Sequence, residues 1–316
     1  MRSSLNVLYR RAMVVTGTQF GEAVAVPPDA VEIMLKLLER NIAAVEQRLV
    51  LVAPPQARIP DSFKRVTVDS GRHKRLIGEM QALRGGVYLE RNGGYLTPEQ
   101  LSAGGLHQIP EDERSWHLLM TDANGRVSSC GWYLNHENTA SVDDLRVRHC
   151  PLARVAEWRD KLYAAVESEI GRARRDGLYY AELGGWAVSE QHRCTTEGLM
   201  LALAGYGLSR TLGGALGITT AVVKYSSSSI LRRLGGSYLE SGGAPIPAYF
   251  DARYNTMIEF LRFDSRRPSL RYGALVDLLQ SRLASVPVIA RPQAGWQPAR
   301  IQQVDKGSMV SPLVAA

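Results

Sequence analysis

A single carboxylate stands in the apolar stretch Ala181-Glu182-Leu183-Gly184-Gly185-Trp186-Ala187-Val188. Shortly after it, Arg193-Cys194-Thr195-Thr196-Glu197-Gly198 leads into a long apolar helical pattern. A strand therefore runs through a small-residue turn into a helix. The carboxylate must be paired or solvated, because an ionised group left bare in such a strand is strongly destabilising. Burial also makes it a stronger base, suited to take a proton from an ammonium nucleophile directly or through a water. Its structural alternative is a partner for an arginine such as Arg146. The turn supplies the other half of a chemistry. Unpaired backbone N–H groups at a helix start attract phosphate, worth roughly 0.3–1 kcal/mol per charge at an exposed site. Gly198 lets the backbone approach such an anion where a β-carbon would stand in the way. A base beside an anion cradle suits attack of an amine on a phosphate-bearing thioester, which is acyl transfer.

The cradle is expected over Ala187, Val188, Arg193, Cys194, Thr195, Thr196, Glu197 and Gly198. Cys194 near a helix start would be a stabilised thiolate. No His with Asp or Asn is evident beside it, however; His192 reads as a surface residue, and direct amine attack needs no thiol. Arg84 and Arg146 could each hold a substrate carboxylate through paired N–H donors, with exposed ion pairing as the ordinary alternative. Trp116, Trp132, Tyr133, Trp186 and Tyr206 could line an acyl pocket, although aromatic residues at strand spacing are more often core. The basic clusters at 172–175, Arg232-Arg233 and Arg266-Arg267 read as solvated faces, with steering of an acidic carrier protein as a second role for Arg232 and Arg233.

The 316 residues, 45% of them hydrophobic, suffice for one large domain or two modest ones. An excess of 38 basic over 31 acidic residues, net +7, suits an anionic partner: a nucleotide-bearing thioester, an acidic carrier protein, nucleic acid or a membrane surface. Charge alone does not choose among them. Cys130, Cys150 and Cys194 are too few for a disulfide framework, and no Cys-x-x-Cys pair points to a metal, so a reduced cytoplasmic setting is expected. Arg2, Arg10 and Arg11 precede an apolar run too short for a signal peptide, and no apolar stretch is long enough to span a bilayer.

Apolar residues recur at three and four from Asp29 to Leu49, predicting an amphipathic helix that packs on the main domain or pairs with a second copy. A linker follows through Pro60. The pattern then predicts a strand over 63–68, a helix over 72–90 broken at Gly85-Gly86, and strands over 115–120 and 127–133 around the turn Asp122-Ala123-Asn124-Gly125. A strand is expected over 140–148, a helix over 155–174, a strand over 178–188 and a helix over 197–212. A strand over 216–225, a short helix over 228–234 and a strand over 256–263 complete the series. Strands in a meander and then interleaved with helices mean a mixed α/β sheet with helices on both faces.

This order of elements, with the two segments above, resembles the GNAT acyltransferase superfamily over roughly residues 63–263. Within it, the chain is similar to the branch holding N-acyl amino acid synthases and autoinducer (acyl-homoserine lactone) synthases. That branch carries an Arg shortly before an aromatic, then Glu-Arg and a Gly. Here Arg84-Gly85-Gly86-Val87-Tyr88 and Glu90-Arg91-Asn92-Gly93 come near, marking Arg84 and Tyr88 as substrate-binding candidates beside Arg146 and Trp186. It also carries Glu-Leu-Ser-Arg on the central strand. This chain reads Glu182-Leu183-Gly184-Gly185, keeping the Glu and departing at the Ser and Arg. Arg146 sits where the branch keeps an Arg at the end of a preceding strand. The superfamily's phosphate loop, Gln/Arg-x-x-Gly-x-Gly/Ala, corresponds to Arg193-x-x-Thr196-x-Gly198, with Thr196 in place of a Gly. A carrier-protein donor, which presents a single phosphate, tolerates that looser cradle. Many members place a Tyr acid on the following helix. Leu231 stands there instead, which leaves Tyr225 and Ser228 as candidates to protonate a departing thiolate, Ser228 being first of all a helix cap.

The resemblance implies a mostly antiparallel central sheet in an acyltransferase domain over 61–290, after a helical extension over 1–60 and before a loosely held tail over 291–316. It implies an N-acyltransferase that moves an acyl group from acyl-CoA or an acyl-carrier protein to the amine of an amino acid or related small molecule. The thioester is a co-substrate; no tightly bound cofactor and no metal is expected. It would lie between the Glu182 strand and the strand after it, with backbone N–H groups near Ala187 and Val188 polarising its carbonyl. One rival is an acetyl-CoA enzyme acting on protein lysines or drug amines. Another is a non-catalytic basic binding protein on a degenerate scaffold, which Thr196 and Leu231 favour. Nucleic acid ranks lower as a partner, because no zinc-finger spacing or RNA-recognition aromatic motif is present. A homodimer through residues 29–49 is the expected form of self-association.

Overall fold

The computed structural model describes residues 48–55, 57–90, 98–102, 104–224 and 227–292. In chain order these form β1 (Leu49–Val52), β2 (Val66–Val68), α1 (Ser70–Glu90), β3 (Trp116–Thr121), β4 (Val127–His136), α2 (Ala156–Arg175), β5 (Tyr179–Val188), α3 (Glu197–Thr211), β6 (Ala215–Val222) and α4 (Ser227–Leu234). The short strands β7 (Ser237–Tyr238), β8 (Glu240–Ser241), β9 (Ala244–Pro245) and β10 (Tyr249–Asp251) follow, then β11 (Thr256–Asp264), α5 (Gly273–Leu283) and β12 (Val288–Ala290).

One ten-stranded sheet runs in the order β10-β11-β6-β5-β4-β3-β1-β12-β2, with β7 also on β11; β8 and β9 pair with each other. Only β1 with β12, β12 with β2 and β5 with β6 are parallel, so the sheet is mixed and mostly antiparallel. Helices cover both faces. On one face Ala181 and Met120 pack with Met200, Leu201 and Leu203 of α3 and with Leu275 and Leu279 of α5. On the other, Leu119, Cys130 and Ala187 meet Leu76, Ile77 and Met80 of α1, while Tyr180, Leu216 and Ile218 meet Leu162 and Val166 of α2.

Local chemistry explains where elements begin. Asp69 Oδ1 accepts the Arg72 N–H at 2.9 Å to start α1. Asp122 Oδ1 accepts the N–H of Asn124 at 2.8 Å and of Arg126 at 3.0 Å, closing the expected β3–β4 turn.

Four expectations change. No break occurs at Gly85-Gly86: α1 continues through it, and Gly85 is needed because a β-carbon there would lie 2.5 Å from the Gly105 carbonyl. Residues 140–148 form no strand but successive 3₁₀ turns, Val142–Asp144 and Arg146–His149. The Ser141 side chain accepts the Asp143 N–H, and the Asp144 carboxylate takes the Ser141 N–H, so local bonds outcompete a ladder. Residues 49–52, which lie between the expected helix end at Leu49 and the linker expected from Ala53, are a fully buried strand inside the sheet, so the sheet reaches back past residue 61. α5 and β12, unforeseen, complete the α3 face and the parallel pair beside β1. The helix expected over 29–49 falls outside the described residues except at its end, as does the tail from residue 293.

Candidate functional site

β5 and β6 pair from Tyr179↔Ala215 to Leu183↔Thr219 and then part. β5 runs on to Val188 held only by β4, and β6 runs on to Val222 held only by β11. At the branch, Thr219 Oγ1 donates to the Leu183 carbonyl at 3.0 Å. The result is a fork in the centre of the sheet whose inner edges carry backbone groups free of ladder bonding. Ser189 N–H donates to the Ser128 carbonyl of the neighbouring hairpin at 2.9 Å. Strand alternation therefore turns the Val188 N–H toward the fork and the Ala187 N–H toward β4. Of the two groups expected to polarise a carbonyl, Val188 is the one that faces the opening.

On the α3 face the strand leaves through the 3₁₀ turn Glu190–His192. Arg193 Nε reaches the Val188 carbonyl at 3.4 Å, and exposed Cys194 takes a left-handed φ of 61°. Thr195 Oγ1 donates to the His192 carbonyl at 2.7 Å and accepts the Glu197 N–H at 3.2 Å. Thr196 opens α3 without a side-chain cap of its own, so beyond the Glu197 N–H that Thr195 takes, the first turn has no capping side chain at its N-cap position. Gly198 lies under Trp186, and a β-carbon there would sit 3.2 Å from both the indole and the Val188 side chain.

Glu197 does not join this surface. Its carboxylate turns inward, taking Arg48 Nη2 at 2.5 Å and the Ser128 hydroxyl at 2.6 Å. A carboxylate at the first helical position is favourable against the helix dipole. Here it also ties the turn to the entry of β1.

The α1/α2 face carries Glu182, which is 5% exposed. Its Oε2 lies 2.9 Å from His136 Nε2, and its Oε1 accepts the backbone N–H of Arg146 at 2.9 Å. The buried carboxylate is thus satisfied by an imidazole and a main-chain donor rather than by a guanidinium. The Arg146 guanidinium lies 5.3 Å from the centre of the Trp132 ring and 3.4 Å from Glu111.

Arg84 is fully buried. It grips Asp112 with two N–H···O bonds of 2.9 and 2.7 Å, donates from Nε to His107 Nδ1 at 2.9 Å, and donates to the His107 carbonyl. Burial alone would raise the Asp112 carboxyl, but the Arg84 guanidinium outweighs it and holds Asp112 below the ordinary carboxylate range. Burial, with Arg84 adding to it, pushes the His107 imidazole down to about 4. Tyr88 stands against His107 and Tyr254, and burial raises its phenol. Arg84 therefore braces α1 against the 107–112 segment, whereas the Arg146 side chain stays partly exposed between Glu111 and Trp132. Trp186 lies with the turn on the opposite face from Arg84, Tyr88 and Arg146.

The departure at Gly184-Gly185 has a physical cause. The β4–β5 register shifts between Cys130 and Trp132, and the Trp132 indole lies flat on the two glycines. A β-carbon on Gly184 would come 2.4 Å from the ring, and one on Gly185, whose φ is 64°, would come 2.5 Å from it. No side chain fits at either position while the indole is there. The Trp132 and Trp186 indole N–H groups, one on each side of this stretch, are buried with no hydrogen-bond partner among the described residues.

Ser228 is buried near the start of α4, its hydroxyl likewise unpartnered among the described residues, and Leu231 packs against the apolar core. Tyr225 lies outside the described residues. Sequence reasoning passed over His136, Trp132 as the partner of the glycines, Asp112 with His107, and Arg48 with Ser128. His136 alone left a signal: it falls on the same alternation as Cys130, Trp132 and Leu134, a polar residue on a buried face. Among the described residues no group of His, Cys, Asp or Glu could hold a metal ion, and no described helix is long and apolar enough to cross a membrane.

No family model and no curated protein matches the chain. Solved structures do. BjaI, a CoA-dependent acyl-homoserine lactone synthase solved with SAM and isopentyl-CoA, aligns over 78% of this chain and 93% of its own at 13% identity, with a TM-score of 0.46. FeeM, an N-acyl amino acid synthase from uncultured soil microbes, aligns over 64% and 95% at 10% identity, TM-score 0.39. An agmatine N-acetyltransferase mutant aligns over 62% and 96% at 14% identity, TM-score 0.38.

Proposed function

We propose that this chain is a GNAT-type N-acyltransferase that moves an acyl group from a phosphopantetheine thioester, on coenzyme A or a carrier protein, to the amine of an amino acid or similar small molecule. The observation that carries the reading is the fork. It is a gap between two parallel strands, with an uncapped helix start on one face and a buried carboxylate with an arginine on the other. The phosphate end of the donor would lie at the turn 193–198 on the α3 face, with Gly198 allowing close approach. The thioester carbonyl would meet the Val188 N–H, whose pull on the oxygen is worth most as negative charge develops there.

The acceptor amine would come from the α1/α2 face. Its nitrogen forms the bond to the thioester carbon as the carbon–sulfur bond breaks. The ammonium gives one proton to Glu182 before attack, with His136 sharing the resulting change in charge, and the second proton leaves the nitrogen as the amide forms and passes to the departing thiolate. The thiolate is a good leaving group near neutral pH, so the mechanism does not depend on a donor at Leu231. Arg146, held over Trp132, would orient a carboxylate on the acceptor. Ser228, buried beside β6, is the hydroxyl placed to hydrogen-bond the pantetheine arm.

The test is incubation of the purified chain with acetyl- and longer acyl-CoA donors and a mixture of amino acids and polyamines, read by mass spectrometry. Formation of an amide, lost when Glu182 is replaced by Gln, supports the reading. Absence of both thioester binding and thioester consumption would overturn it.

A further inference from the structure

The proposed donor has a head and an acyl tail, and the fold bears on how long that tail is. Resting on the acyltransferase reading, we infer that Trp132 is the residue that fixes acyl length, and that the group transferred is short, of the acetyl or propionyl class.

An acyl tail that passes between β5 and β6 from the α3 face emerges beside Gly184 and Gly185. Two residues without side chains would leave that emergence open. Instead the indole of Trp132 lies on them, so close that a single added methyl at either position would fall within 2.5 Å of the ring. Trp132 is 4% exposed. It cannot swing away freely, because the Arg146 guanidinium covers its outer face at 5.3 Å and is itself near Glu111. Behind it, Arg84 Nη1 lies 3.3 Å from where a Gly185 β-carbon would be, and Arg84 is fixed by Asp112 and His107.

Ile218 and Tyr180 lie buried against α2 in the paired part of the two strands just before they part. The wall is thus braced by Arg146 on its outer face and Arg84 behind it. Each methylene beyond the first one or two must displace packed side chains, and close-packed interiors resist that strongly.

This wall also explains why the two glycines and the tryptophan occur together. A chain that needed room for a long tail would carry side chains on β5 and leave the neighbouring strand small. Here the order is inverted, and the bulk sits on β4.

The experiment measures binding of acetyl- and octanoyl-coenzyme A, and of the matching acyl-phosphopantetheines, by calorimetry, followed by turnover with the same donors. The wild-type chain is expected to favour acetyl over octanoyl by at least about 100-fold in kcat/KM, since a hydrophobic pocket discriminates by roughly 10–200-fold per methylene. Trp132→Ala should move the octanoyl-to-acetyl ratio upward by more than about tenfold, and Trp132→Phe, which keeps a ring in the core, by an intermediate amount. Wild-type protein that binds and uses octanoyl donors as well as acetyl donors overturns the inference while leaving the acyltransferase reading intact. An unchanged ratio in a folded Trp132→Phe protein does the same. Failure to bind any of the four thioesters removes both.

Discussion

The two faces of the sheet at the fork are built on opposite rules. On the α1/α2 face the buried charged groups beside the fork are held by protein partners: Arg84 with Asp112 and His107, Glu182 with His136 and the Arg146 N–H, and Asp112 also with Gln81 at 3.0 Å, while the Trp132 indole N–H and the Tyr180 hydroxyl are unpartnered among the described residues. On the α3 face the groups nearest the fork lack them. Thr196 at the start of α3 makes no side-chain cap, leaving Thr195 to take only the Glu197 N–H, and the Trp186 N–H and Ser228 hydroxyl are unpartnered among the described residues. Satisfied networks rigidify, whereas unmet donors await a ligand. One face is thus a fixed wall holding a buried carboxylate, and on the proposed reading the other would receive a ligand that arrives with acceptor oxygens.

The largest expected effect comes from breaking the base. Glu182→Gln should lower the rate of amide formation about 10²–10⁴-fold near neutral pH. The loss should narrow at high pH, where the amine sheds its own proton. Initial rates across pH decide this, and a uniform loss at every pH would leave Glu182 a structural role only. Next is the wall itself. Arg84→Ala leaves Asp112 buried without its cation and should destabilise the fold by about 3–5 kcal/mol. Urea unfolding measures it, and a loss of the size seen for surface pairs, under about 1 kcal/mol, would contradict a buried brace.

A third effect follows from the same face. His107 and His117 are both pushed down to about 4 by burial. Their folded forms hold the proton less tightly than the unfolded chain, whose imidazoles titrate near the ordinary 6.5. The stability they confer is complete above that value and is lost as pH falls toward 4. Melting temperatures should therefore drop across that window. The drop should shrink in His107→Asn, which keeps an acceptor for Arg84 Nε but cannot be protonated; an identical drop would locate the titration elsewhere.

The smallest effect on the fold, and the one that most sharpens the contrast, is Gly198→Ala. Its β-carbon would meet Trp186 and Val188 at 3.2 Å, which small side-chain shifts can absorb, so the melting temperature should barely move. Donor affinity should nevertheless fall by roughly tenfold, about 1.4 kcal/mol, because pushing Trp186 and Val188 away from α3 shifts the turn proposed to hold the phosphate. Calorimetry with coenzyme A reads it, and unaltered affinity would detach the turn from donor binding.

The sequence made the receptor side more legible than the wall. β5 and α3 announce themselves through alternation and through a 3.6-residue apolar period, and the β3–β4 turn through Asp122 and Gly125, so local rules sufficed. β1 and β12 are runs of four and three apolar residues, too short to separate from a linker or a tail. The segment 140–148 looked strand-like because Val142, Leu145 and Val147 are apolar, while the Ser141 and Asp144 caps that bend it are visible only when their bonds are seen. The partners of Glu182 and Arg84 come from segments far along the chain, and nothing in a spacing pattern reports them. Trp132 read as core or pocket lining without a partner, and only the register shift beside it shows that it replaces missing side chains on the next strand.

The inward turn of Glu197 ties the start of the described chain to the first turn of α3. Arg48 holds that carboxylate, the Thr121 carbonyl at 2.6 Å and the Ser128 hydroxyl at 3.3 Å at once. A tug on the backbone at the entry of the first strand would thus arrive at the start of α3 without crossing the core, which on the acyltransferase reading is the end that would hold the donor's phosphate.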